Sequence, residues 1–313
     1  MVLFTFCCFK SKSYYLAYHY FSFSMKRLKA VWELMRLEHG VMLFVAVFVG
    51  AVVGYGGLPS DLVKLFLAFL TALFLEAATF SLNDYFDIEI DRRNNRVDRP
   101  LVRGDVQPRT AVVVFVLLFP LGIVSAFFVN LQCFVIALMT GLFAVAYDVW
   151  LKRVKQVGNL YIAYTMAVPF VFGAVAVSPN IPLIILILAS IAFLAGWGRE
   201  IMKDVMDVLG DQEQGVKSLP MYIGKRNAYR IVAFFYLAAT TLSFFPYFLL
   251  NGTVYHRNIV YLTLILLTDI LFFVIAYDLI VKSNPPVKRY RKLTLVAMVF
   301  GLLAFLGGAF FQG

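Results

Sequence analysis

Nine apolar segments dominate the chain of 313 residues, and each is close to the ~20 residues that a helix needs to cross the hydrocarbon core of a bilayer. Charged residues make up only 15% of the sequence, whereas a soluble domain carries about 25%. The pattern predicts an all-α, polytopic membrane protein, a bundle of about nine transmembrane helices. The predicted spans are residues 38–57, 61–83, 110–129, 131–150, 159–178, 181–199, 228–250, 258–281 and 292–311.

Lysine and arginine residues lie mainly on one side of these spans. All but two of the 28, Lys64 and Arg257, fall in segments that emerge on the side of the amino terminus. Because basic loops are retained in the cytoplasm, we expect a multi-pass protein of the cell membrane with a cytoplasmic amino terminus. The net charge of +10 then reflects membrane topology and not nucleic-acid binding, and no protein partner is evident.

A dense run of charged residues at positions 83–104 carries acids at helical spacing. On a helix, Asp84, Asp87 and Asp91 fall within roughly 60° of one another. Asn83 continues the same face through its i, i+4 spacing to Asp87. This face therefore presents several hard oxygen ligands, which suit Mg²⁺ bound to substrate phosphates.

The acidic spacing occurs twice along the chain. The pairs that share one constant offset are Asp84 and Asp204, Asp87 and Asp207, Asp91 and Asp211, Pro100 and Pro220, and Gly104 and Gly224. Five identities at one offset indicate an internal repeat. We therefore predict a single transmembrane domain, 25–313, with halves of about 25–150 and 151–313. Residues 1–24 form an N-terminal extension of uncertain status.

Four spans separate the two acidic runs, so both are expected to emerge on the cytoplasmic face. Their carboxylates would repel one another there unless cations were bound. Two Mg²⁺ ions would remove the repulsion and hold a diphosphate, and an apolar cavity would shield the allylic cation left by an isoprenoid diphosphate. The predicted metal ligands are Asn83, Asp84, Asp87, Asp91, Asp204, Asp207 and Asp211.

The residues around both runs resemble the signatures of the UbiA superfamily of intramembrane prenyltransferases. The matching positions are Asn83 to Asp91 with Asn95, Arg99-Pro100-Leu101 and Gly104, and Asp204 to Asp211 with Gly215, Ser218-Leu219-Pro220 and Gly224. Weaker similarities are Arg36-Leu37-Glu38-His39 and Tyr147 with Leu151-Lys152-Arg153. The resemblance runs from about residue 25 to the end. It implies nine helices around a central cavity, Mg²⁺-dependent diphosphate binding and transfer of a prenyl chain.

By position, the resemblance also implies roles for individual residues. The implied catalytic residues are Asp87, Asp91, Asp207, Asp211 and Lys152. The implied substrate contacts are Arg99, Arg103, Tyr147, Lys152 and Lys203. Many family members place the Tyr and the Lys four positions apart, whereas Tyr147 and Lys152 are five apart, and no residue stands out as a general base.

The acceptor is the least constrained part of the prediction. The run from Arg199 to Asp211, with Ser218-Leu219-Pro220, is most similar to the archaeal ether-lipid branch. That branch implies geranylgeranyl diphosphate as donor and geranylgeranylglyceryl phosphate as acceptor. Chlorophyll-type members share the later part of this pattern and quinone-pathway members share the first motif, so an aromatic acceptor is the alternative.

Two other classes of protein share parts of the pattern. A secondary transporter also has repeats and membrane acids, but its coupling acids should lie near the bilayer midplane. A soluble prenyl-diphosphate synthase shares the paired acidic helices but needs no membrane spans. The partners expected of an enzyme here are a prenyl diphosphate, a lipophilic acceptor and membrane lipid.

Two further acids are expected near this site. Glu76 lies two helical turns before Asn83, so it either faces the same cavity or is neutral and bonded to a neighbouring helix. Asp148 is placed i, i+4 from Lys152 and either orients that lysine or forms a plain local ion pair.

Overall fold

The computed structural model describes residues 25–213 and 216–311, and the predicted extension of residues 1–24 lies outside them. In the described part the chain forms nine long helices and no β-strand. All nine are long and apolar enough to cross a membrane, which confirms the predicted all-α membrane fold. The helices α1 to α9 are Leu37–Tyr55, Leu62–Arg93, Pro108–Val129, Leu131–Val149, Lys155–Val177, Leu183–Glu213, Leu219–Leu249, Ile259–Val281 and Val287–Phe310.

Several helices are longer than hydropathy predicted, four of them by more than one turn. Helices α2 and α6 continue past residues 83 and 199, and α7 and α9 begin before residues 228 and 292. The added turns are rich in charged residues, which end an apolar segment but are good helix formers. Both acidic runs therefore lie on the polar ends of continuous helices.

Polar residues cap three helices at the bundle face opposite the acidic runs. Side-chain oxygens of Asp61, Asn130 and Asn258 accept hydrogen bonds from backbone N–H groups at the starts of α2, α4 and α8. Each bond satisfies a donor that the first turn of a helix leaves without a partner.

Large apolar side chains cover the outside of the bundle. On α3, Leu117, Val124 and Phe128 are all exposed, and similar residues line the outer faces of α8 and α9. An apolar surface this extensive is typical of contact with lipid. The protein is therefore a multi-pass membrane protein.

Helices α1 and α5 are in direct backbone contact near the middle of the bundle. A Cβ atom on Gly50 would lie 2.1 Å from the Phe170 carbonyl oxygen, and one on Gly173 would lie 2.0 Å from that of Val47. Only glycine fits at such approaches, as is common where membrane helices pack closely. This contact fixes one wall of the cavity described below.

A short helix follows each acidic run. After α2, Pro100 begins the helix Pro100–Arg103, and Gly104 ends it with a φ of 78°. After α6, Pro220 lies in the first turn of α7, and Gly224 interrupts that helix with a φ of 80°. Proline suits the first turn of a helix, and glycine adopts positive φ readily, so the same local device follows both motifs.

Candidate active site

An apolar cavity of about 420 Å³ opens among α1, α2, α4 and α5. Toward the ends of α2 and α4 it is lined by Asn83, Tyr147 and Asp148, with Arg36 beside them. Most of the remaining lining is aliphatic or aromatic. The cavity therefore joins a cluster of charged side chains to an apolar interior.

Asp84 is the most deeply buried acid of the first motif, with 2% of its surface exposed. Its carboxylate accepts a hydrogen bond from the Arg36 guanidinium and lies 3.4 Å from Nη1 of Arg99. Nε of Arg99 also lies 3.7 Å from Oδ2 of Asp91. Two arginines thus neutralise the inner side of the first acidic run.

The backbone positions both arginines. Arg36 adopts a left-handed conformation, φ 49° and ψ 44°, at the break between a helical segment of residues 25–35 and α1. Non-glycine residues in this region are strained and concentrate at functional sites. Arg99 is extended because the following Pro100 disfavours helical geometry. Burial lowers the pKa of the Arg36 guanidinium, and the neighbouring Asp84 opposes that shift.

Lys152 and Tyr147 occupy separate positions. The Lys152 ammonium lies 2.5 Å from Oδ1 of Asp87 and 5.8 Å from the centre of the Phe86 ring. Tyr147 instead stacks on Tyr161, with ring centres 4.9 Å apart. The lysine therefore contacts the acidic motif while the tyrosine lines the cavity.

A second lysine, Lys155, forms ion pairs with the acids of the second motif. Its ammonium lies 2.9 Å from Oδ1 of Asp211 and 3.7 Å from Oδ1 of Asp204. Oδ2 of Asp204 accepts a hydrogen bond of 2.5 Å from the Asn159 amide. Asp207 is exposed. Lys152, in the α4–α5 connection, therefore contacts the first motif, and Lys155, the first residue of α5, contacts the second.

Asn83 is held by a buried acid across the cavity mouth. Its Nδ2 donates a 2.7 Å hydrogen bond to Oδ1 of Asp148, which is 4% exposed. An amide group has one donor end and one acceptor end, so this bond leaves Oδ1 of Asn83 directed away from Asp148 and free for another partner. Asp148 thus orients Asn83, a role that the sequence did not predict.

Two predicted substrate contacts lie apart from this cluster. Arg103 donates hydrogen bonds to Glu33, to Asp105 and to two backbone carbonyl oxygens of the loop after α2, and the bonds to Asp105 and Glu33 raise its pKa. Lys203 has its ammonium 3.8 Å from Glu200. Both basic groups are engaged outside the two acidic motifs.

Four residues at the site were not predicted as site residues: Arg36, Asp148, Lys155 and Asn159. Lys155 and Asn159 could have been predicted as site residues, because they follow Lys152 at helical spacing and share one face of α5. The i, i+4 spacing of Asp148 and Lys152 is visible in the sequence. The contact of Asp148 with Asn83 joins two different helices, so the sequence does not indicate it. Arg36 gave only a weak similarity to the family.

The donor set fits a hard divalent cation. Three buried carboxylate oxygens have no hydrogen-bond donor: Oδ2 of Asp84, Oδ1 of Asp204 and Oδ2 of Asp211. Carboxylate and amide oxygens are the ligands that Mg²⁺ prefers. Among the described residues no three His, Cys, Asp or Glu side chains are arranged to hold a metal, and lysines and arginines pair with the acids of both motifs.

Glu76 lines the same cavity as Asn83. The first of the two interpretations of this residue therefore agrees with the structure. No hydrogen bond to its carboxyl group is found in residues 25–213 and 216–311, which gives no support to the interhelical bond.

Comparison with known proteins gives one family. The model of the UbiA prenyltransferase family matches residues 43–298. Digeranylgeranylglyceryl phosphate synthase of Archaeoglobus fulgidus is 46% identical over 289 residues, which are 92% of this chain and 98% of that protein. The enzyme of the same name from Methanocaldococcus jannaschii is 35% identical over 290 residues, 91% of this chain and 98% of that protein.

Solved structures show the same architecture. A structure from work on digeranylgeranylglyceryl phosphate synthase in membranes has a TM-score of 0.79 and 33% identity, and covers 90% of this chain and 98% of that one. A UbiA homolog from Archaeoglobus fulgidus bound to DMAPP and Mg²⁺ has a TM-score of 0.61 at 17% identity, over 88% of this chain and 99% of that one. The second likeness extends to the fold alone.

Proposed function

Since the chain belongs to the UbiA prenyltransferase family, we propose that it moves an isoprenoid chain from a prenyl diphosphate to a lipophilic acceptor inside the membrane. The donor is geranylgeranyl diphosphate and the acceptor is geranylgeranylglyceryl phosphate. The substrate assignment rests on relatives named digeranylgeranylglyceryl phosphate synthase that match almost the full chain.

One observation carries the proposal. Lys152 contacts Asp87, one turn after Asn83 at the mouth of the apolar cavity, and Lys155, three residues further along the chain, contacts Asp211 of the second motif. Two ammonium groups three residues apart in the chain thus contact both acidic helix ends, which supports a single site where a polar headgroup would meet its chain. A diphosphate on an isoprenoid chain has that shape and that distribution of charge.

Two Mg²⁺ ions would be held by the oxygen ligands of the two motifs, which are Asn83, Asp84, Asp87, Asp91, Asp204, Asp207 and Asp211. When bound, they would neutralise charge on the departing diphosphate. Lys152 and Lys155 would bind its phosphate oxygens in exchange for the carboxylates that they contact in the structure. Arg99 lies between Asp84 and Asp91 and supplies a third cation at the same rim.

The chain itself would lie in the cavity. Departure of diphosphate breaks the bond between its oxygen and the first carbon of the chain, and leaves an allylic cation. The stacked rings of Tyr147 and Tyr161 line the cavity, and aromatic faces of this kind would stabilise such a cation. The apolar walls exclude water, so the acceptor hydroxyl forms the new carbon–oxygen bond with the cation and passes its proton to the departed diphosphate.

A product assay tests this function. Purified protein is incubated with labelled geranylgeranyl diphosphate, Mg²⁺ and a panel of acceptors that includes geranylgeranylglyceryl phosphate and 4-hydroxybenzoate. Mass spectrometry should detect the ether product of the phosphorylated acceptor. Exclusive prenylation of 4-hydroxybenzoate would overturn the acceptor assignment, and diphosphate uptake into proteoliposomes without any product would favour a transporter.

Variants of the motifs test the site in the same assay. Asp87→Ala and Asp207→Ala should abolish turnover while the helical circular dichroism signal remains. Asp105→Ala is the matched control, since it removes an exposed carboxylate on the same side of the protein. Full Mg²⁺-dependent activity in either motif variant would remove that residue from the site.

The motif face is proposed to be cytoplasmic, and the two halves to be related. The distribution of basic residues supports the first proposal, and the matching Pro100–Gly104 and Pro220–Gly224 segments support the second. Thiol labelling of Lys225→Cys in a cysteine-free background tests the orientation. Labelling of intact cells by a membrane-impermeant reagent would contradict it.

A further inference from the structure

Two arginines, one on α6 and one on α9, have no acidic partner among the described residues. Neither Arg199 nor Arg291 forms an ion pair or donates a side-chain hydrogen bond in the described ranges, 25–213 and 216–311. Nη1 of Arg199 and Nε of Arg291 are nevertheless buried. The nearby carboxylate of Glu200 lies 3.8 Å from the ammonium of Lys203. Buried guanidinium donors without an acceptor are costly, so their presence calls for an anion.

Two hydroxyl groups on α7 complete the cluster. Tyr236 is fully buried and packs against Gly198, the residue before Arg199, where an added Cβ atom would lie 2.6 Å from the tyrosine ring. The hydroxyl of Thr240, one turn further along α7, has no hydrogen-bond partner, and that of Tyr236 lies beside the Thr294 hydroxyl of α9. Donor side chains from three helices are therefore gathered without an anionic partner among the described residues.

An apolar cavity of about 150 Å³ lies deeper in the membrane along the same helices. It is lined by Ala195, one turn before Arg199, and by Met298, two turns beyond Arg291. Ala239 lines it from α7, next to Thr240. The donors thus stand on the motif side of an apolar recess, which is the arrangement of a lipid headgroup above its chain.

We propose that Arg199 and Arg291 bind the phosphate monoester group of a lipid, with Tyr236 donating a hydrogen bond and the lipid chain entering the apolar recess. Two guanidinium groups match a group that carries nearly two negative charges at neutral pH. The planar fork of arginine also binds phosphate oxygens in pairs. A carboxylate or a phosphodiester would carry a single charge and leave one guanidinium unneutralised.

Two lipids have this chemistry: the phosphorylated acceptor of the transfer reaction, and a membrane lipid that takes no part in it. The first source rests on the proposed function, whereas the second does not. In the first case the site would select acceptors that carry a phosphate.

A binding measurement tests the site without activity. The full chain in detergent is titrated with dioctanoyl phosphatidic acid, with dioctanoyl phosphatidylcholine and with inorganic phosphate. Arg199→Gln and Arg291→Gln should bind phosphatidic acid at least tenfold more weakly, and the parent should prefer it to phosphatidylcholine. Arg230→Gln is the matched control, because Arg230 is an exposed arginine of α7 that bonds to Asn227. Unchanged binding in both Gln variants, or equal binding of the two lipids by the parent, overturns the proposal.

Stability distinguishes a binding role from a structural one. Because neither guanidinium has a partner in the fold, both Gln variants should melt no lower than the parent without lipid. The rise in Tm on adding phosphatidic acid should be lost in them and kept in Arg230→Gln. Arg291→Lys retains the charge without the fork and should bind with intermediate strength. A lower Tm without lipid, with the lipid-induced rise intact, would assign the arginines a structural role.

Kinetics identify the source of the phosphate. The acceptor KM is measured at saturating donor in both Gln variants. If it rises at least tenfold while the donor KM is unchanged, the site binds the acceptor. Unchanged transfer kinetics with weakened phosphatidic acid binding assign it to a membrane lipid. If the parent forms no product, the proposed function fails, while the binding comparison still decides this site.

Discussion

Asp148→Ala is the most informative single substitution at the site, because Asp148 touches Asn83 and is not itself assigned as a ligand. The structure gives Asn83 Nδ2 a 2.7 Å hydrogen bond to this carboxylate, which is 4% exposed. Removing the carboxylate leaves the Asn83 amide free to rotate. Its oxygen then no longer points reliably toward a cation.

The expected magnitude follows from this geometry. A hydrogen bond to a charged acceptor contributes about 1.5–3 kcal/mol. Loss of a group that orients a metal ligand weakens metal binding about 10–100-fold. The Mg²⁺ concentration for half-maximal rate should therefore rise 10–100-fold, or about 1.4–2.8 kcal/mol. Asp148→Asn keeps an acceptor oxygen of the same shape and should shift it less.

The assay is the rate of prenyl transfer as a function of Mg²⁺ concentration, with Tm measured in parallel. Asp269→Ala is the matched control, because Asp269 is equally buried and accepts a 2.7 Å hydrogen bond from Ser243 in the other half. It should lose stability but keep the Mg²⁺ concentration for half-maximal rate. A shift of less than twofold in Asp148→Ala would refute the idea that Asn83 is a positioned ligand.

Two predictions concern stability and are measured as free energies of unfolding in detergent. Arg36→Ala leaves the buried Asp84 with only the longer contact to Arg99, so it should cost about 3 kcal/mol, against less than about 1 kcal/mol for the exposed Arg96→Ala. Similar losses in both would contradict a buried ion pair at Asp84. Gly173→Ala should cost about 1–3 kcal/mol or more, because its Cβ would lie 2.0 Å from a carbonyl oxygen of α1. Gly301→Ala, whose nearest neighbours lie 3.7 Å away, should be close to neutral, and equal effects would contradict the contact between α1 and α5.

The fold could be predicted because its main determinant is local in sequence. Length and apolar composition identified nine spans, and the structure has nine long apolar helices in the described residues. The ends were less accurate, since hydropathy stops at the first charges while α2 and α6 remain helical to Arg93 and Glu213. Hydropathy indicates where a segment leaves the membrane, whereas a helix continues until its backbone hydrogen bonds stop. The two boundaries therefore differ where a helix extends beyond the membrane.

The sequence predicted those site residues whose spacing lies within a single helix. The acidic runs show periodic carboxylates within one helix, so they stand out in the sequence. Asp148 acts through a contact with another helix, and nothing in its local sequence records which helix it meets. The loop after α2 shows the same limit. Arg103 lies in the same run as Arg99, but the structure directs it to Glu33 and Asp105.

Local sequence patterns also could not predict which helices bound the cavity. The resemblance implied a central cavity, and the cavity of about 420 Å³ is bounded by four helices, α1, α2, α4 and α5. Close contact between Gly50 and Phe170 and between Gly173 and Val47 brings α1 against α5. Glycines in apolar segments are common, and the sequence does not indicate which of them meet another backbone.

The central claim is that both acidic helix ends hold one diphosphate through shared cations. An experimental structure with Mg²⁺ and a non-reactive thiolodiphosphate analogue of the donor tests it most directly. The claim predicts metal ions bound by Asp87 and by Asp207 or Asp211, with the analogue's phosphates between α2 and α6 and its chain in the cavity. Metal ions bound by one motif alone, or an analogue headgroup away from both, would contradict it.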